Sequence, residues 1–208
     1  MVYLSIMRYR TREEEAERVF RKRGGTLRTS QAIAEGIHPR SLYSLRTKGL
    51  IVPLSRGLYR LADLPDVGNL DFAVVAARIP SAVICLISSL SFHQMTTQVP
   101  HSVDVALPRG TRAPRLDFPP LRIFRISRGF FKAGIETHDV DGIAVRIYSP
   151  ARSIVDCFKF RNRIGIDIAV EALRLSQRRR VCTVAEILEY AKLLRMRRVM
   201  LPYLEAIQ

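Results

Sequence analysis

Residues 26–62, TLRTSQAIAEGIHPRSLYSLRTKGLIVPLSRGLYRLA, read in order as a short helix, a tight turn, a second helix and a two-stranded hairpin. Thr29 or Ser30 is placed to cap the first helix, where Ala32 and Ile33 are apolar while Gln31 and Glu35 can face water. Gly36 stops that helix. Pro39 suits the first turn of the next one, because the amide it lacks would have no intrahelical partner there. Leu42, Leu45 and Leu50 then continue an apolar stripe that should face a core. After Gly49, residues 50–54 (LIVPL) and 57–61 (GLYRL) read as two short strands joined through Ser55, Arg56 and Gly57. Helix, turn, helix and two-stranded wing is the order of a winged helix-turn-helix.

The second helix carries Arg40, Ser41, Tyr43, Ser44, Arg46 and Lys48 away from its apolar stripe. Such a face can hydrogen-bond base edges and neutralise phosphates of double-stranded DNA from one surface. On this reading Arg40, Ser41, Ser44 and Arg46 meet the major groove, with Tyr43 beside them. Arg28, Lys48 and Arg56 hold the backbone or the minor groove, Arg56 from the tip of the wing. Two blander readings compete. Small helical domains with a hairpin also serve as protein-docking modules, and an aromatic at helical spacing such as Tyr43 is as often a packing residue as a base contact.

The charge favours a polyanion. The 208 residues hold 34 Lys and Arg against 19 Asp and Glu, a formal net charge of +15. Up to Leu64 the count is 13 against 6, and beyond it 21 against 13, so both halves are basic. Nucleic acid is the commonest partner of such a chain. The cysteines Cys85, Cys157 and Cys182 are odd in number and widely spaced within apolar or helical patterns, as buried reduced thiols are. His38, His93, His101 and His138 are scattered, and no Cys/His spacing suits zinc, so neither a metal nor a cofactor is expected. Arg78 and Pro80 interrupt the most apolar stretch, 72–90, which excludes it as a membrane span. The first residues, MVYLSIMRYRTREEE, lack a secretion cleavage site, and the expected location is cytoplasmic.

Outward from this segment, residues 12–23 read as a charged helix whose Ala16, Val19 and Phe20 pack on the two helices that follow. Residues 63–69 (DLPDVGN) concentrate turn formers and read as a linker. The expected organisation is a winged helix-turn-helix over 1–64 and an α/β domain over 65–208, an α+β chain overall. In the second domain a helix is expected over 70–78, an apolar strand or helix start over 82–87, and a helix over 88–94. Alternating strands follow at 103–107, 121–126 and 143–148, with Pro100, Pro108, Pro114, Pro119 and Pro120 in the loops. Helices over 150–160, 165–177 and 183–194 follow, the last opened by Thr183 and Glu186 at capping-box spacing. This gives an antiparallel or mixed sheet covered by helices.

Residues 86–93 (LISSLSFH), Val99 and Pro100, the strand at 103–107, and residues 148–156 (YSPARSIVD) together resemble the AbiEi antitoxins of bacterial type IV toxin-antitoxin systems, which also begin with a winged helix-turn-helix. The resemblance covers the chain from about Arg12 and rests on loose patterns of apolar and small residues. It implies a repressor of its own operon that binds repeats upstream of the gene pair. It also implies a second domain that counters a co-encoded nucleotidyltransferase toxin of the AbiEii type and can assist DNA binding.

Catalytic readings find less support. Ser88 and Ser89 upstream of Asp104 suggest a nucleotidyltransferase, but Ala106 stands where a second carboxylate would be needed for two metal ions, so Asp104 reads as a solvent-facing strand residue. Asp139 and Asp141 have the spacing, yet Asp141 and Gly142 form a strong turn dipeptide. His93 beside Ser88, Ser89 and Ser91 lacks any nucleophile signature. Asp156 follows an arginine and stands at helical spacing from Lys159 and Arg163, which predicts ion pairs within the helix. Arg178, Arg179 and Arg180 are either a solvated run or a second basic patch for phosphate or an acidic partner. The leading expectation is a DNA-binding repressor and antitoxin without catalysis. A DNA-targeted nuclease or nucleotidyltransferase-like enzyme and a non-specific interaction module are the rivals.

Overall fold

A computed structural model describes residues 11–65, 68–112 and 115–206. It divides into two compact units. The first takes in the chain up to Leu70 together with Val140–Ile143, and the second the remainder.

In the first unit, α1 (Arg12–Lys22) opens with a reciprocal capping box between Thr11 and Glu14 and buries Ala16 and Phe20. It is followed by β1 (Thr26–Arg28), α2 (Thr29–Ala34), α3 (Pro39–Thr47), β2 (Ile51–Ser55) and β3 (Leu58–Leu61). The strands form an antiparallel sheet in the order β1-β3-β2, with a bulge between Pro53 and Ser55 where β2 turns into β3. Phe20, Leu27, Ala32, Ile37, Leu42, Leu45, Ile51 and Leu61 close one core between the helices and this sheet.

Three local expectations change. The sheet has a third strand, because β1 pairs Leu27 with Tyr59. Thr29 does not cap α2 but lies inside it: its amide donates to the Gly57 carbonyl at 2.9 Å, while the Gln31 carboxamide accepts from the Arg28 amide at 3.0 Å. Ile33 is 48% and Leu50 39% exposed, so the apolar stripe is narrower than expected. The unit also encloses a buried charge pair. Arg60 Nε donates to Asp141 Oδ2 at 2.7 Å, Thr26 Oγ1 donates to the same oxygen, and the rest of the Arg60 guanidinium bonds the carbonyls of Leu64 and Pro65. Those two carbonyls belong to the expected linker, of which Asp66 and Val67 lie outside the described residues, as does Pro114 in its loop. Asp141 and Gly142 both have positive φ, 56° and 80°, as a two-residue hairpin turn demands. A Cβ on Gly142 would sit 2.1 Å from the Arg23 carbonyl oxygen, so only glycine fits there.

The second unit runs α4 (Leu70–Arg78), β4 (Val83–Ile84), α5 (Leu86–Phe92), β5 (Val103–Pro108), β6 (Leu121–Ile126), α6 (Arg128–Phe131), β7 (Ile135–Val140) and β8 (Ile143–Tyr148). It ends with α7 (Pro150–Lys159), α8 (Arg161–Ile164), α9 (Ile166–Arg179), α10 (Val184–Leu193) and α11 (Arg197–Glu205). Its sheet has the order β6-β5-β4-β8-β7 and is mixed: β4 pairs antiparallel with β5 and parallel with β8, and β5 is parallel to β6. The helix α7 lies at the centre of the helical layer. Ala151, Ile154, Val155 and Phe158 are buried against α5, α9 and α10. Ser149 caps α7 from the residue before Pro150, and Thr183 and Glu186 form the expected capping box on α10. Among the described residues no helix is long and apolar enough to cross a membrane.

Candidate nucleic-acid interface

The site is built on α3. Leu42 and Leu45 anchor it inward, Pro39 occupies its first turn, and His38 caps it by accepting the Arg40 amide on Nδ1 at 3.1 Å. With the inner face fixed, Arg40, Tyr43, Arg46, Thr47 and Lys48 are left exposed. Tyr43 is 71% exposed, which removes the reading of it as a packing residue. No carboxylate lies on α3 itself, so the outward face is cationic and aromatic.

Two expected contacts do not survive. Ser41 is 8% exposed, one helical turn before Leu45 on the inward side, and lines a cleft of about 340 Å³ with Ala16, Val19 and Ile37. A side chain there cannot reach a base edge. Ser44 is half-buried and donates to Glu13 Oε1, while Lys48 Nζ bonds Glu13 Oε2. Both groups are therefore engaged by one carboxylate of α1, whose pKa is lowered by the hydrogen bond from Lys48 and then by that from Ser44. Glu13 is the residue that sequence reasoning missed. It is 31 positions from Ser44, and no local spacing ties them.

Of the flanking cations, Arg28 is half-buried just before α2, and Arg56 is exposed at the turn between β2 and β3. Near α1, Arg18 bonds Glu15, Arg21 bonds Glu17 and Asp63, and Arg23 at the C-cap bonds Glu35. In the second unit Arg178 and Arg179 end α9 and Arg180 closes it in the left-handed conformation, all three exposed. The Arg179 guanidinium donates to the Gln94 carbonyl at 2.6 Å.

Asp104, Asp141, Asp156, Ser88 and Ser89 all hold contacts within the fold. Asp104 is buried, not solvent-facing: it takes a bidentate bond from Arg122 (Nε to Oδ1 2.6 Å, Nη2 to Oδ2 2.8 Å) and accepts the Ile87 amide. Strand β5 is an interior strand and nearly all buried, so its polar position needs an internal partner. Ser88 accepts the Asp104 amide at 2.8 Å, and Ser89 meets Ser153 at 2.6 Å and donates to the Tyr148 carbonyl. The small residues of LISSLSFH thus fasten α5 to the sheet and to α7. Asp141 is held by Arg60 and Thr26. Asp156 is buried and pairs with Arg152, one turn earlier, rather than with Lys159 or Arg163. Burial pushes the Cys85 and Cys157 thiols well up, whereas Cys182 is only half-buried, its sulfur 3.1 Å from Ser176 Oγ. His93 and His138, far apart in sequence, are brought together, with ring centroids 5.8 Å apart.

The chain is similar in fold to the RV2827C protein from Mycobacterium tuberculosis. Its crystal structure aligns over 86% of this chain and 70% of that one, with a TM-score of 0.56 and 15% identity, which bears on fold alone. No curated protein matches the chain. The segment that builds the exposed α3 face, residues 14–62, matches the family described as transcriptional regulator, AbiEi antitoxin.

Proposed function

We propose that the first unit is a winged helix-turn-helix, with α3 reading the major groove of double-stranded DNA and the β2–β3 hairpin as its wing. On this reading the chain represses its own operon. The second unit acts as an antitoxin against a co-encoded nucleotidyltransferase toxin of the AbiEii type, and Arg178, Arg179 and Arg180 offer it a second basic patch. The observation that carries the proposal is the outward face of α3. Arg40, Tyr43 and Arg46 stand exposed together on a helix without a carboxylate, within the segment matched to a family of regulators. Arginine is the side chain best suited to the paired acceptors of guanine, and each good pair discriminates by about 1–3 kcal/mol.

The test is binding of Arg40→Ala, Arg46→Ala and Arg56→Ala to the DNA upstream of the gene and to single-base variants of it. Arg40→Ala and Arg46→Ala each relax the preference at one or two base positions. Arg56→Ala weakens all duplexes alike and flattens the salt dependence. Equal losses on every duplex for all three variants would move the reading surface away from α3.

A further inference from the structure

We propose that His93, Glu136 and His138 form a binding site for a divalent transition-metal ion of the zinc class on the second unit. One nitrogen of each histidine and a carboxylate oxygen of Glu136 lie within 4.8 Å of one another. Glu136 and His138 are alternate residues of β7 and so share one face of it, with Nε2 of His138 3.2 Å from Glu136 Oε2. His93 reaches them from the C-terminal end of α5. Ligands about 2.0–2.2 Å from a tetrahedral ion stand roughly 3.3–3.6 Å apart, so the β7 pair already has the separation needed, and a small side-chain rotation brings in the third donor.

The surroundings are those of a ligand. His93 Nε2 is 2.9 Å from the Tyr148 carbonyl, an acceptor only, so Nε2 carries the proton and Nδ1 keeps its lone pair. A histidine whose second nitrogen donates to a backbone carbonyl is the usual orientation of a metal-bound imidazole. Phe92 packs edge-on against both rings, with centroids 5.2 Å from His93 and 4.8 Å from His138, and shields one side of the cluster. The Glu136 side chain is 44% exposed and that of His138 31%, so solvent and an ion have access.

Two imidazoles and one carboxylate select zinc, cobalt or nickel over magnesium and calcium, which require oxygen ligands. Three protein ligands leave a coordination position for water or for an anionic group of a partner. Occupancy would join α5 to β7, the edge strand of the sheet.

The experiment is titration of the chelator-treated full chain with Co²⁺ followed in the visible range, and with Zn²⁺ by calorimetry. The wild type, His138→Gln, Glu136→Gln and His93→Ala are compared, with Cys182→Ser as a control for thiol ligation. The expected result is one equivalent bound, unaffected by Cys182→Ser or by excess Mg²⁺. His138→Gln, which alters only a half-exposed strand position, weakens binding by more than the ~10–100-fold typical of losing an outer-shell partner. Equal affinity in wild type and His138→Gln, or no binding by folded wild type, overturns the site.

Discussion

Removal of one member of the buried Arg152 and Asp156 pair should strongly destabilise the second unit, and the two removals are not equivalent. Both side chains are buried, 0% and 1% exposed, with Nε 2.9 Å from Oδ2. Arg152 Nη1 also donates to the carbonyls of Phe130 and Ala133, at 2.9 and 3.1 Å, and the guanidinium lies over the Tyr148 ring. Asp156→Ala strands a buried cation that has no neutral form to adopt. Breaking such a pair costs about 3–5 kcal/mol, or roughly 10–20 °C in the melting temperature of a unit this size. Arg152→Met strands the carboxylate instead, but that group can take up a proton. Burial already pushes the Asp156 carboxyl up even with Arg152 beside it, and without the arginine it rises further.

A carboxyl whose folded pKa is raised contributes stability that is complete below its unfolded value near 3.9 and is lost as pH rises through the folded value. Arg152→Met therefore recovers stability relative to wild type as pH falls through its raised folded value, with a slope no steeper than about 1.4 kcal/mol per pH unit. Asp156→Ala shows no such recovery. Urea unfolding of the three proteins at pH 5, 6 and 7 measures both effects. Parallel pH profiles for the two variants, or a loss under about 1 kcal/mol for Asp156→Ala, would refute this account of the pair.

Three further outcomes follow from particular contacts. Glu13→Gln releases Lys48 and Ser44 and removes a carboxylate from the side of α3. Its DNA affinity should become more salt-dependent, the slope steepening by about 0.9 for one added phosphate contact, and an unchanged slope would show that Lys48 stays unavailable. In metal-free protein the lowered pKa of His93, caused by burial, contributes stability that is present above its unfolded value near 6.5 and is lost as pH falls below it. His93→Gln should flatten that loss between pH 7.5 and 5.5 in urea midpoints, and an undiminished loss would place the titrating group elsewhere. Gly134 has φ +74°, and a Cβ there would lie 2.8 Å from Arg152 Cβ. Gly134→Ala should cost at least ~1–2 kcal/mol for the left-handed backbone alone, and a neutral melting temperature would contradict the crowding.

Much of the architecture was legible because the signals were local. The periodicity over α4, the alternation in β5, β6 and β8, and the caps of α7 and α10 each lie within a few residues. The missed elements lack such signals. β1 is three residues long, α6 is four, α11 contains Pro202, and β7 reads IETHDV, an edge strand with only Val140 buried.

At the site, the outward positions of α3 followed from its helical period, but polarity was mistaken for exposure at Ser41, which the turn containing Leu45 carries inward. Glu13 could not be found, because the docking of α1 on α3 decides its contact. The same holds for His93 and His138, which adjoin only once α5 and β7 are in place. Asp156 chose the arginine on its N-terminal side because that side of α7 is buried, whereas Lys159 is exposed. The family match falls on residues 14–62, whereas the motifs that carry the resemblance lie in the second unit and serve to fasten α5 and α7.

The central claim is that the exposed face of α3 reads a specific duplex. Fluorescence anisotropy of the full chain on the DNA immediately upstream of its gene, against a scrambled duplex of equal length, at low and near-physiological salt, tests it directly. A net charge of +15 binds both duplexes at low salt, so the ratio decides. The account predicts a preference of roughly a thousandfold or more that persists at physiological salt. Equal binding to both duplexes, lost together as salt rises, would contradict it.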